Sequence, residues 1–361
     1  MVRLGDVCKV VYGTRVRRKD SEGDAYPVYG GGGETFRWNT YNREDQCVVS
    51  RFAMSEECVR FVKGKFFLND SGLTVDSNDE RLLQCFLDWF LYSEQDGIYA
   101  LGKGSAQKNL DVDDFVESQI PLPPISVQRE IVTRLEKELG EADALAAKFK
   151  EIAENANAEF KAELDETFKN VEGEKVRLGD VCGIDGSLVT EYERYAKYPH
   201  IGIDCIEKTT GRILGYRTVE EDNVRSGKYY FTRQHIIYSK IRPNLNKVAV
   251  PEFDGLCSAD SYPLLPKETC DRYWLAYMMR SKRFLEYVVP ISNNRTGMPK
   301  VNRSEVLAFT FSLPPLEAQR AIVAKLDSAK DKCEKLKAAA ERGLRAAEDL
   351  RKAILAEAFE Q

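Results

Sequence analysis

No stretch of eighteen consecutive apolar residues occurs in the 361-residue sequence, so nothing in it is suited to cross a bilayer as a helix. The opening Met1-Val2-Arg3-Leu4-Gly5-Asp6 lacks the apolar run of a secretory signal, and a cytoplasmic protein with no membrane partner is expected. Cys-x-x-Cys pairs are also missing. The nine cysteines are scattered and odd in number, which fits reduced, mostly buried thiols better than a disulfide framework. Histidine is nearly absent, with only His200 and His235. Without a Cys/His cluster no metal site is expected, and neither histidine has a nucleophile spaced for a catalytic triad. Positive charge is not in excess either, because 53 Lys/Arg face 58 Asp/Glu for a net charge of −5. Taken whole, that balance argues against a nucleic-acid binder.

The deficit is local. Residues 1–124 carry 15 Lys/Arg against 20 Asp/Glu, and 125–174 carry 7 against 13, whereas 175–313 carry 21 against 16. The cause of this division is an internal repeat. Val2-Arg3-Leu4-Gly5-Asp6-Val7-Cys8 recurs as Val176-Arg177-Leu178-Gly179-Asp180-Val181-Cys182. Leu122-Pro123-Pro124 recurs as Leu313-Pro314-Pro315, and the match continues through Gln128-Arg129 and Gln319-Arg320 to Leu135 and Leu326. The ends match and the middles diverge, which implies one scaffold carrying two different surfaces.

After each proline pair comes a long stretch free of proline. Apolar residues recur at steps of three and four through Ile131, Leu135, Leu139, Ala142, Leu145, Phe149, Ile152, Ala156, Phe160, Leu164 and Phe168. The second copy gives Ile322, Leu326, Ala329, Cys333, Leu336, Ala340, Ala347, Leu350, Ile354 and Ala358. Each helix has one apolar stripe and needs a partner. The spacing predicts an antiparallel coiled coil within one chain, relating the two copies by a pseudo-two-fold axis, with homodimerisation as the competing arrangement. Between these landmarks, short β-prone runs (Gln46–Ser50, Phe61-Val62, Gln234–Tyr238, Lys247–Val250) precede one helix per copy, near Glu80–Ser93 and Asp271–Arg283. The fold class expected is α+β, in four parts: 1–122 globular, 123–173 helix, 174–313 globular and 314–361 helix.

Catalytic patterns are weak. Gly97 to Lys103 fits the start of a phosphate loop, but Gly104 stands where Ser/Thr is needed to hold a metal. Gly30 to Gly33 lacks the helix and acidic residue of a dinucleotide site. Binding features are stronger. Ser239, Lys240, Arg242, Asn244, Asn246 and Lys247 crowd one turn between two strands. Arg280, Lys282 and Arg283 are followed by Asn293, Asn294, Arg295 and Lys300. The first copy offers Arg37, Trp38, Arg51, Lys63, Lys65, Ser105, Gln107 and Lys108. Arg and Lys contact phosphates and guanine edges, and Asn and Gln pair with adenine, so double-stranded DNA is the expected ligand.

Ile120-Pro121-Leu122-Pro123-Pro124-x-x-x-Gln128 and Ser312-Leu313-Pro314-Pro315-x-x-x-Gln319, with the two Leu-Gly-Asp-Val openings and Ile241-Arg242-Pro243-Asn244, resemble the specificity subunit of type I restriction–modification systems. The resemblance spans the chain. It implies two target-recognition domains, each reading half of a bipartite DNA site, and helices that set the spacer. It also implies a noncatalytic role. Methylation subunits, two of them, would dock through helix positions including Gln128, Arg129, Leu135, Gln319, Arg320 and Leu326, and restriction subunits could join. S-adenosylmethionine, ATP and Mg would bind those partners, and no cofactor is expected on this chain. The first domain lacks an Arg-Pro-Asn turn. A coiled-coil adaptor without DNA reading is the alternative, and an autonomous nuclease or ATPase the third reading.

Overall fold

A computed structural model describes residues 1–20, 23–105, 107–293 and 297–359. It divides into two compact units, one formed by residues 1–149 with 342–361 and the other by 150–341. None of its helices is long and apolar enough to cross a membrane.

In the first unit six strands build the main sheet: β1 (Cys8–Tyr12), β2 (Tyr26–Gly30), β3 (Gly33–Trp38), β4 (Arg43–Ser50), β5 (Val59–Leu68) and β6 (Gly72–Ser77). They form one sheet in the order β1-β6-β4-β5-β2-β3, antiparallel except where β2 runs parallel to β5. Gly64 bulges β5 at a φ of +77°, a conformation that a Cβ disfavours, and its N–H donates to Asp45 Oδ1 at 2.8 Å. Helix α1 (Gln84–Ser93) buries Phe86, Leu87, Phe90 and Leu91 in the core with Leu4, Val7, Val49 and Leu73.

The chain then enters α2 (Ile125–Lys169), whose extended approach is set by the Pro123-Pro124 pair. In the second unit nine strands build two sheets: β7 (Cys182–Ile184), β8 (Leu188–Val189), β9 (Pro199–Ile201), β10 (Arg217–Thr218), β11 (Lys228–Phe231), β12 (Ile236–Ser239), β13 (Val248–Ala249), β14 (Gly255–Ser258) and β15 (Ser261–Pro266). The orders are β7-β15-β12-β13 and β8-β11-β14-β9-β10. Two helices follow, α3 (Arg272–Arg280) and α4 (Lys282–Asn293), where the sequence predicts one. The break falls at Ser281, which is extended at φ −70° and ψ 156° and whose hydroxyl donates to Met278 O. Helix α5 (Leu316–Phe359) closes the chain.

The long helices have 45 and 44 residues, about 67 Å each at ~1.5 Å per residue. In the first unit Asp143 ion-pairs with Arg351 and Phe149 packs over Gly343. In the second, Asn157 meets Cys333 and Glu163 ion-pairs with Lys325. Within each unit the partner's number falls as the residue's own rises, which makes the pair antiparallel, as the stripes predict. Part of the stripe is corrected, however. Leu145, Ile152 and Leu350 are 42%, 42% and 47% exposed, whereas their neighbours Ala146, Ala153 and Arg351 are half-buried. The reason is spacing. A Cβ on Gly343 would lie 2.3 Å from the Phe149 ring, so the helices approach too closely for branched side chains at every seam position.

The helix ends belong to the domain cores. Phe359 of α5 stacks edge-on against Phe86 and Phe90 at 5.4 and 5.5 Å, and Phe168 of α2 meets Trp274 at 5.5 Å.

Candidate nucleic-acid interface

The repeated motifs form the frame that holds each candidate face. In the first unit Val2 and Arg3 pair with Ile120 and Gln119, and Leu4 N–H donates to Ser118 O at 2.8 Å. In the second, Val176 and Arg177 pair with Phe311 and Thr310, and Leu178 N–H donates to Phe309 O at 2.8 Å. Gly5 and Gly179 serve one purpose. A Cβ there would lie 3.2 Å from Val116 O in one unit and 3.3 Å from Leu307 Cβ in the other, so the short Leu-Gly-Asp-Val turn seats against a neighbouring helix.

Each paired glutamine is a clamp, buried completely. Gln128 accepts from Leu83 N–H at 2.9 Å and donates to Arg81 O and Pro123 O at 2.7 Å each. Gln319 accepts from Asp271 N–H at 2.7 Å and donates to Thr269 O at 3.0 Å and Pro314 O at 2.9 Å. Both tie the start of a long helix to the start of the domain helix, satisfying backbone groups that a helix N-terminus leaves unpaired. Leu135 and Leu326 are likewise buried within the chain, whereas Arg129 and Arg320 are exposed.

In the second unit β12 runs into the turn that concentrates the predicted DNA-contacting residues. Arg242 and Asn246 adopt left-handed φ of +46° and +47° around the short Pro243–Leu245 turn. Several polar side chains face inward and donate to carbonyls of the chain itself. Ser239 is buried and donates to Ile241 O at 3.0 Å, and buried Asn246 donates to Arg280 O at 2.7 Å. Half-buried Lys247 and Lys240 donate to Ile203 O and Ala259 O, both at 2.7 Å. Arg242 and Asn244 remain exposed. A bridge between Ile241 and Lys300, with Arg242 N–H donating to Pro299 O at 2.8 Å, brings exposed Lys300 beside the turn from far along the chain. Asn293 is exposed at the end of α4, and Asn294 and Arg295 lie outside the described residues. Arg280 does not belong to a surface cluster. It is buried, its guanidinium donates twice to Val248 O at 3.0 and 2.7 Å, and burial pushes its pKa down to about 10.

In the first unit Trp38, opposite Tyr26 on β2, packs at 6.1 Å from Phe67. Arg37 donates to Asp24 O and Ala25 O at 2.5 and 2.9 Å, which fastens its own hairpin. Lys65 lies 4.5 Å from the Tyr41 ring, and Lys63 is exposed near the β5 bulge. A separate group forms where Leu110 N–H donates to Arg51 O and Met54 N–H to Lys108 O. There Lys108 lies 4.0 Å from the Tyr99 ring, with Ser105 and Gln107 exposed nearby in sequence. The Arg51 guanidinium sits between Tyr12 and Phe52, 4.6 and 4.5 Å from their centroids, and these rings are 46% and 38% exposed. Tyr12 and Phe52 are absent from the sequence-based candidates because nothing in a linear reading brings residue 12 to residue 51.

The glycine patterns resolve simply. Gly97 lies inside the short helix Gln95–Ala100, and Gly30 to Gly33 form the β2–β3 turn with Gly33 at φ +112°. Burial lowers the pKa of His235, whose Nδ1 accepts from Thr232 N–H at 3.0 Å.

Comparison with known proteins agrees with this geometry. The "Type I restriction enzyme EcoDI specificity subunit" of Escherichia coli is 28% identical over 309 residues, covering 76% of this chain and 69% of that protein. A chain from a structure describing complex assembly and conformational transition of the type I R-M system has a TM-score of 0.72 at 19% identity, covering 99% of this chain and 96% of its own. The HsdS subunit from Thermoanaerobacter tengcongensis has a TM-score of 0.52 at 19% identity, covering 99% and 95%. At those identities the two structures speak to fold alone. The family model described as "Type I restriction modification DNA specificity domain" matches twice, at residues 1–152 and 170–342, and the chain belongs to that family.

Proposed function

We propose that this DNA specificity subunit reads a bipartite site, with residues 1–122 contacting one half and 174–313 the other. The observation that carries the reading is the pairing of a constant frame with different middles. Both units have the same terminal ladder and glutamine clamp, but one mixed six-stranded sheet stands where the other has two sheets. A frame kept twice around unlike faces suits two recognitions. In the second half-site Arg242, Asn244 and Lys300 are the contacts favoured by their exposure, with Lys240, Lys247, Ser239 and Asn246 shaping the turn. Base edges are read by such exposed donors, while phosphates take the remaining cations.

The helices 123–173 and 314–361 set the unspecified spacer, and their exposed faces, including Arg129 and Arg320, receive two methylation subunits. Restriction subunits join that complex. The chain targets and does not catalyse; S-adenosylmethionine, ATP and Mg act on the partners, in the cytoplasm where the DNA is. The adaptor reading leaves the Arg242–Asn244 turn without a role.

The test is to express the chain with its methylation subunits and map methylated adenines across a genome. A two-part motif with a fixed gap is expected, and the gap should change when both helices are lengthened by matching turns. A continuous motif would contradict the reading.

A further inference from the structure

The first unit is acidic, so its DNA-facing surface has to be found from the cations that remain uncommitted. Most of the arginines in residues 1–122 are occupied within the domain. Arg3 pairs with Asp6 and Glu117, Arg17 with Asp20, and Arg81 with Asp79. Arg37, Arg43 and Arg60 donate to carbonyls of the chain. Among the described residues the side chains of Arg15, Arg18 and Arg51 make no hydrogen bond or ion pair, and these three gather at one place. The chain after β1 is held to the turn at residues 68–72, with Gly13 N–H donating to Gly72 O, Thr14 N–H to Leu68 O, and Asn69 Nδ2 to Val16 O. The same turn holds Arg51, whose N–H donates to Ser71 O at 2.9 Å.

Arg51 differs from its two neighbours. They are exposed on a loop, whereas its guanidinium is fixed between the Tyr12 and Phe52 rings, 4.6 and 4.5 Å from their centroids. Stacking of this kind orients the planar group and lowers the entropy lost when it docks, without using its N–H donors. A solvated structural arginine has no need of two partly exposed aromatic rings beside it.

We propose that this end of the first unit is its DNA face, with Arg51 reading a base edge and Arg15 and Arg18 holding phosphates. Guanine is the base whose O6 and N7 a fixed guanidinium pairs with bidentately. The proposal rests on the bipartite reading above, and it narrows the first half-site to Arg51 and its surroundings, setting apart Arg37, which fastens its own hairpin.

The test uses the chain assembled with its methylation subunits, and compares the methylated motif and salt-dependent DNA binding of the parent with those of Arg51→Ala, Arg51→Lys and the double variant Arg15→Ala/Arg18→Ala. Both Arg51 variants are expected to relax a guanine in the first half-site by ~10-fold or more, because an ammonium keeps the charge and loses the bidentate geometry. The second half-site, unaltered in the same complexes, reports that the chain is folded and assembled. The double variant is expected to weaken all sequences alike and reduce the salt slope by about 2. Arg51→Lys matching the parent would make Arg51 a phosphate contact and overturn the base-reading role. A two-part motif in the parent that Arg51→Ala leaves unchanged would overturn the proposal while leaving the bipartite reading intact, whereas a parent without a two-part motif would sink both.

Discussion

The two units share their fastenings and differ in almost everything those fastenings hold. Gln128 and Gln319 each accept one backbone N–H and donate to two carbonyls, at the same place between a long helix and a domain helix. Gly5 and Gly179 each make room for a neighbouring short helix. Between these points, residues 175–313 are cationic and expose Arg242 and Asn244 on a left-handed turn, while residues 1–122 are acidic and leave only Arg15, Arg18 and Arg51 without a hydrogen bond or ion pair among their described arginine side chains. The difference teaches that repeat identity marks packing constraints. Recognition has to be sought where identity stops, among side chains that the fold leaves uncommitted.

Three substitutions probe that division between fastening and face. The largest effect is expected for Arg280→Ala, which removes a buried guanidinium bound twice to Val248 O and leaves that carbonyl unpaired. A loss of about 3 kcal/mol in denaturant unfolding of the second unit is expected. A weakening of DNA binding with unchanged stability would return Arg280 to the surface cluster. Next, Gln128→Ala and Gln319→Ala should each cost about 2–3 kcal/mol, since three backbone groups lose partners, and the two costs should be alike. Unequal costs would break the equivalence of the two frames.

The helix glycines should respond in opposite directions. Gly140 has nothing within 4 Å of an added Cβ, so Gly140→Ala should stabilise by about 0.5–1 kcal/mol through helix propensity. Gly343→Leu, driven into the Phe149 ring, should destabilise by about 1–3 kcal/mol. Thermal melting of both variants checks the pair.

A pH dependence also separates the units. Burial raises the Asp88 pKa to about 6, so between about pH 4 and 6 the folded first unit holds a proton that the unfolded chain releases. This group therefore adds stability as pH falls from 7 toward 4, and Asp88→Asn should stabilise at pH 7 and have little effect at pH 4. In the second unit the Thr218 N–H holds the Glu221 carboxyl below its usual range, a contribution lost on acidification. Urea titrations at the two pH values, with each variant, read the signs.

The architecture was legible where a physical constraint writes itself into local spacing. Proline pairs marked the helix starts, and the three-and-four spacing marked the antiparallel pair. The spacing failed at Leu145 and Ile152 because the seam is chosen by how closely the helices approach at Gly343, a fact of tertiary packing. The second helix at Lys282–Asn293 escaped notice because Ser281 breaks the chain by its backbone angles and not by a proline or glycine. At the interface, Arg242 and Asn244 could be named from composition alone. Ser239, Asn246 and Arg280 looked the same in the sequence, yet their partners are the chain's own carbonyls. A polar residue does not announce whether its partner lies inside the fold or on a ligand.

The division of labour between the units is tested most directly by mapping methylated adenines in complexes carrying Arg242→Ala beside the parent. A motif altered at one half only, by ~10-fold or more in preference, with the other half and the spacing preserved, is the expected result. Equal weakening of both halves, or an unchanged motif, would contradict the account.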